Sequence, residues 1–421
     1  MQRFCIYDER HRGRATALCS QDATPVLTIS PILPANSQLE DPLQRQPLSI
    51  RRGDFVLRPF MARSNAIGTW QVLNTLGPFC GLWVLALWCL QHRVVLVLPV
   101  LVLQVLFMAR CFSLMHDCGH ESLFRSRQAN RWVGFLLGVV AGIPQLPWSR
   151  GHAFHHRHNG DWEKYQGPSA LINTEAFDRL NPGQQQSYRW LRHPLMLFPG
   201  GFFYLVIKPR LALLLGLREL IPALITQLQQ KPTADLGTLL QEHKSRHWHS
   251  PREGLDLFWN NVAVLSFWVL MGSTVGIGPF WTLYVPLMTC GAALFICVFF
   301  IQHNFPDSYA HRSAGWSSMA GVLEGTSNLD LPPLLNWFTA DIGCHAIHHL
   351  CEAIPNYRLR ACQARNATLL QGVRRLGLAD IKGCFDYILW DPNAARLTTI
   401  AAHQQAINAD PYTVHPSNHE L

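Results

Sequence analysis

Nine of the 20 histidines in this 421-residue sequence fall into a pattern suited to metal binding. His116-Asp117-Cys118-Gly119-His120 contains an i, i+4 pair, which on a helix turns both imidazoles to one face. His152-Ala153-Phe154-His155-His156 and His345-Ala346-Ile347-His348-His349 each offer ligands at i, i+3 and i+4, so one helix presents three nitrogens to a common centre. The ninth, His303, stands in Gln302-His303-Asn304. A lone histidine is usually a surface or hydrogen-bonded residue, and a single i, i+4 pair carries little weight. Three boxes in one chain, two of identical spacing, are hard to obtain by chance. Imidazole suits zinc, copper, iron and nickel. A structural zinc takes four ligands and a catalytic one three plus water. Eight or nine histidines therefore exceed one zinc and suit two ions, each with an open position. Spacing alone leaves the metal unnamed.

Such boxes need elements that bring them together. Four long apolar stretches stand out, at about 70–90, 94–115, 257–277 and 280–301. Each is near the ~20 residues a helix needs to cross ~30 Å of hydrocarbon. His92-Arg93 joins the first two and Gly278-Pro279 the last two, which predicts two helical hairpins. Arg110, Arg125, Arg127, Arg131, Lys244, Arg246 and Arg252 fall on the opposite side, the cytoplasm by the positive-inside rule. With four crossings, all three boxes and His303 share that side with both termini. The stretches 132–147 and 195–217 are shorter or interrupted, the second by Lys208-Pro209-Arg210, and read as helices lying at the interface. The predicted fold is an all-α integral membrane domain over 54–394: four transmembrane helices, interfacial helices and a cytosolic helical cap carrying the boxes. Residues 1–53, including Pro34-Ala35-Asn36-Ser37-Gln38, read as a flexible tail without a cleavable signal peptide, and 395–421 as a C-terminal tail.

Composition agrees with immersion in lipid. Charged residues make up 15% and hydrophobic ones 48%, against about 25% charged in soluble proteins. The net charge of +8 comes from basic residues flanking apolar runs, which fits anionic headgroups and argues against nucleic acid as a partner. The 12 cysteines lack finger spacing and read as reduced thiols.

The HxxxH, HxxHH and HxxHH boxes resemble those of the membrane fatty acid desaturase family. Leu146-Pro147-Trp148-Ser149, Gln302-His303-Asn304-Phe305-Pro306 and Ala353-Ile354-Pro355-Asn356-Tyr357 resemble its delta-12 and omega-3 acyl-lipid branch, in order, over about 55–390. The resemblance implies a centre of two iron ions held by His116, His120, His152, His155, His156, His303, His345, His348 and His349. It also implies O2 as co-substrate and formation of a double bond in a fatty-acyl chain. Unactivated methylene C–H bonds are beyond side-chain acids and bases, so the cofactor must supply that chemistry. Glu121 stands where plant members of the branch often carry another His, and Ala153-Phe154 where they carry basic residues. Asp161 and Asp341 are candidates to orient the imidazoles, and Trp148 and Phe154 to line an acyl tunnel.

Other features are set aside. His243, His247 and His249 lie among basic residues beside a span and read as a headgroup-binding stretch. His158 lies outside the HxxHH spacing. Phe198-Pro199-Gly200-Gly201 is similar to the His-Pro-Gly-Gly haem motif of cytochrome b5, but Phe replaces the His. Electrons are therefore expected from a separate carrier of the ferredoxin or cytochrome b5 type. Asn366-Ala367-Thr368 is a glycosylation sequon on the predicted cytoplasmic side. Rival functions are a hydroxylase or ketolase acting on alkane, acyl or carotenoid substrates at the same centre, and a membrane metal transporter. A transporter would carry ligands near mid-membrane, whereas these cluster beyond the span ends.

Overall fold

The computed structural model describes residues 49–168, 170–231 and 235–409. Most of the expected N-terminal tail, 1–48, and residues 410–421 lie outside the described residues. The chain is mostly helical. Helix α1 (Asn65–His92) starts at Ser64, whose hydroxyl accepts from the Ile67 amide, and α2 (Val97–Gly119) returns antiparallel to it after the short Arg93 turn. Helix α3 (Arg127–Ala141) begins under a Ser126 cap and is followed by α4 (Gln145–His158). A long helical segment, α5 (Pro194–Gln230), leads to α6 (Pro251–Val275) and α7 (Ile277–Ile301). Five helices, α1, α2, α5, α6 and α7, are long and apolar enough to cross a membrane, or six if the bent pair α3–α4 counts as one span. Four spans were expected. The added candidate, α5, is the 195–217 stretch read as interfacial, continued by regular helix at its C-terminal end to Gln230. Exposed Trp70, Val84, Val95, Leu98, Val269 and Ile277 give these helices an apolar outer surface that suits lipid. The hinge between α6 and α7 falls at Gly276 (φ +93°), two residues before the expected Gly278-Pro279 turn. Pro279 instead sits in the first turn of α7, where no intrahelical N–H is needed.

The α3–α4 bend positions the second box. Its axes differ by 98°. Gly142 caps α3 at φ +73°, a conformation that favours glycine. A bend this sharp frees backbone groups that apolar surroundings would penalise, and side chains from neighbouring helices satisfy them. Arg210 Nη1 donates to the Gly142 carbonyl (3.0 Å) and Asn260 Nδ2 to the Ile143 carbonyl (3.1 Å). Pro144 offers α4 no side-chain cap, so Asp256 of α6 accepts from the Leu146 amide (2.9 Å), while Glu253 grips Arg150 (2.8 Å). Close packing matters too: a Cβ on Gly201 would stand 2.7 Å from that of Ala292 on α7.

Beyond α7 the cap is not purely helical. Strand β1 (Ile172–Asn173) pairs parallel with β4 (Tyr387–Asp391), and β4 antiparallel with β5 (Arg396–Thr399). Strands β2 (Ser327–Leu329) and β3 (Arg374–Leu376) form a second parallel pair. These strands of two to five residues are too short to show alternation in the sequence, and they leave the chain mostly helical, in line with the expected all-α membrane class. Strand β5 and the helix after it (Ile400–Ala409) also extend the ordered fold past 394, because β4 supplies a pairing edge. Trp162 stacks on Trp390 (4.5 Å) and Phe300 on Phe385 (4.9 Å), joining the cap to the end of α7. The third box forms a six-residue helix, α9 (His345–Leu350), following a short helix, α8 (Pro333–Phe338), and preceding α10 (Asn356–Arg365).

Candidate metal centre

All nine histidines picked from the sequence converge. His116 comes from the last turn of α2 and His120 from its C-cap, His152, His155 and His156 from α4, His303 from just beyond α7, and the rest from α9. Their nitrogens form two adjacent clusters. In the first, His116, His120, His152, His156 and His348 each offer an atom within 4.8 Å of the others. The second holds His155, His303 and His349 on the same criterion, with His345 Nε2 3.0 Å from His303 Nε2. The clusters meet where His156 stacks on His349, with centroids 4.0 Å apart.

The residues fit metal ions better than they fit one another. His156 Nε2 lies 3.0 Å from His152 Nε2 and 3.0 Å from His348 Nε2. An imidazole nitrogen has a single in-plane valence, a hydrogen or a lone pair, so it cannot hydrogen-bond to both. Ligands at right angles around an ion, with metal–nitrogen bonds of about 2.1 Å, would stand about 3.0 Å apart. His120 Nε2 and both nitrogens of His155 and His349 are buried without a hydrogen-bond partner among the described residues. Burial pulls the His303 imidazole down to about 4, against the Gly325 carbonyl that favours its charged form. His345, His348 and His349 are pulled well below their ordinary value, first by burial and then by neighbouring imidazoles. Neutral imidazole is the ligating form.

Outer partners fix the rings. His116 Nδ1 faces Asp117 Oδ1 at 3.2 Å, and Asp117 Oδ2 accepts from the amide and side chain of Asn356 at the start of α10 (2.8 and 2.9 Å). His303 Nδ1 donates to the Gly325 carbonyl (3.1 Å), which Asn159 Nδ2 also reaches (3.0 Å). His120 Nδ1 lies 3.1 Å from Glu352 Oε2, and His156 Nδ1 3.9 Å from the same atom. The His120 ring holds the Glu352 carboxyl below its usual range. Sequence reading missed Glu352; its place three residues past the HxxHH box was the available signal.

Asp161 and Asp341 do not orient imidazoles. Asp161 accepts from Ser313 (2.6 Å) and pairs with Lys164 (3.0 Å), because Gly160 at φ +77° turns the chain away from α4. Asp341 binds Asn336 (2.7 Å) and Arg360 (3.1 Å); it and Ala340 have positive φ, so no helix carries it toward His345. Trp148 stacks on His152 (4.7 Å) and meets Phe112 edge-on (5.2 Å); Phe112 stacks on Phe295 (3.9 Å). With Phe299, 5.0 Å from His155, they make an apolar wall beside the imidazoles. Phe154 packs instead on His158 (4.5 Å).

Apolar helices delivering nine imidazoles to two touching nitrogen clusters define a multi-pass membrane protein of the polyhistidine metal-binding kind. The chain belongs to the fatty acid desaturase family, whose profile matches residues 93–375 and so takes in every histidine above, and it is an oxidoreductase of that family. It is 27% identical over 333 residues to a fatty acid desaturase of Bacillus subtilis (strain 168), covering 79% of this chain and 85% of that protein. It is 24% identical over 252 residues to the sn-1 oleoyl-lipid 12-desaturase of Anabaena variabilis, covering 59% of this chain and 62% of the relative. Over 262 residues it is 26% identical to the chloroplastic sn-2 acyl-lipid omega-3 desaturase (ferredoxin) of Arabidopsis thaliana, covering 59% and 50%. The chain thus spans about half to three-fifths of these last two.

Proposed function

We propose that this protein introduces a double bond into the acyl chain of a membrane lipid, using O2 and two iron ions. His116, His120, His152, His156 and His348 hold one ion, and His155, His303, His345 and His349 the other. The observation that carries this is the His152–His156–His348 contact, three Nε2 atoms that hydrogen bonding cannot reconcile and a shared cation can. When bound, the irons supply the O2-dependent removal of hydrogen from adjacent methylenes that no side chain can perform. The chain's own residues do the rest. Asp117, Glu352 and Gly325 fix which imidazole nitrogen faces the ion. Phe112, Trp148, Phe295 and Phe299 offer the acyl chain an apolar wall and exclude water from the reacting carbons. A separate carrier of the ferredoxin or cytochrome b5 type supplies electrons; one relative's name includes ferredoxin.

For topology we favour four crossings, α1, α2, α6 and α7, with boxes and termini in the cytoplasm. Ring centroids of His155 and His303 lie 4.5 Å apart. If α5 crossed together with α6 and α7, three crossings would separate these residues onto opposite faces. Segment α5 also carries Lys208, Arg210, Arg218 and Glu219, charges that are costly within hydrocarbon. Fatty-acid profiling of a host expressing the wild type and His155→Ala tests the function. New unsaturated species, two hydrogens lighter, should appear with the wild type and vanish with the variant. Their persistence in the variant, or products that gain oxygen instead, would contradict the proposal.

A further inference from the structure

Around the imidazoles, the two clusters differ in charge. The first receives two carboxylates: Asp117 on His116 and Glu352 on His120, with the latter 3.9 Å from His156. The second receives one neutral carbonyl, that of Gly325 on His303. The Nδ1 atoms of His155, His345 and His349 are buried without a partner among the described residues. Glu352 differs from Asp117 in reach. It follows the third box, yet one of its oxygens faces rings of the first and second, and its side chain is half exposed at the edge of the site. A carboxylate accepting the distal N–H of a ligating imidazole fixes its tautomer and strengthens it as a donor.

We propose that the two metal positions are unequal, that the five-histidine cluster binds a divalent cation first and more tightly, and that Glu352 is a positioning residue that sets much of the difference. This rests on the two-ion reading above. The extra imidazole in the first cluster also favours it, so a variant must isolate the carboxylate. Glu352→Gln does so, keeping shape and removing charge from a half-exposed position. Glu121→Gln serves as control: that carboxylate is next to the first box but pairs with Arg127 (3.0 Å).

The test is titration of the metal-free, full-length protein in detergent with cobalt(II), following its visible absorption and counting bound metal. The wild type should take up two ions in separate steps, the first at least about tenfold tighter. Glu352→Gln should weaken the first step about 10- to 100-fold and leave the second unchanged. Glu352→Asp should restore part of the loss, and Glu121→Gln should match the wild type. Two ions binding the wild type with equal affinity, or a first step untouched by Glu352→Gln, would overturn the proposal while leaving the two-ion reading intact. Binding of fewer than two ions would instead overturn that reading, and the proposal with it.

Discussion

The first and third histidine boxes reach the same centre by opposite routes. His116 and His120 occupy the last turn and C-cap of α2, a 23-residue helix whose ladder of hydrogen bonds and packing against α1, α3 and α7 fix that end. His345, His348 and His349 occupy a six-residue helix, far shorter than the ~12–15 residues at which isolated helices become even marginal. It persists because distant residues hold it. Asn328 Oδ1 on β2 accepts from the Ala346 amide (3.1 Å), Gln302 Nε2 donates to the Ile342 carbonyl (2.8 Å), and the Leu329 amide bonds Gly343 (2.9 Å). The second box lies between these cases: α4 is 14 residues long but depends on Asp256 for its N-terminal cap. A long helix places ligands through its own backbone, whereas a short one depends on remote side chains.

That contrast can be broken most strongly at Asp256. Its replacement by Ala removes a charged acceptor from the start of α4, at a cost of about 1.5–3 kcal/mol. Thermal inactivation in detergent should shift down clearly, and iron content should fall. An unchanged content would show that α4 does not need its remote cap. Asn328→Ala should cost less, about 1 kcal/mol, the usual value for a lost N-cap. It should speed iron loss to a chelator with the fold intact by circular dichroism; a rate equal to the wild type would mean that the third box stands unaided. The smallest effect is expected at the exposed Asp330–Arg375 pair joining β2 to β3 (2.9 and 3.0 Å). Asp330→Asn should change stability by less than about 1 kcal/mol, as exposed ion pairs do. A larger loss would make the β2 edge, and not Asn328 alone, the support of the third box.

The same contrast explains what the sequence discloses. Metal ligation demands one residue type at fixed helical spacing, so the three boxes are legible without a structure; His303, a lone histidine, is singled out only by the resemblance of Gln302-His303-Asn304 to the family. Apolar length discloses the spans, but not which of five candidates cross, because α5 passes by length and composition while sitting at the periphery. Asp161 and Asp341 were misread because nearness along the chain was taken for nearness in space; positive-φ residues at Gly160, Ala340 and Asp341 break the helical relation. Glu352, Asp256 and Asn328 act on groups that are remote in sequence or across a helix end. Spacing rules do not describe such pairs.

Metal analysis of the purified protein, coupled to X-ray absorption at the iron edge, tests the central claim most directly. Two iron ions per chain, surrounded by imidazole nitrogens at about 2.1 Å, are predicted. A single ion per chain, or sulfur donors from the buried cysteines in place of imidazole, would contradict it.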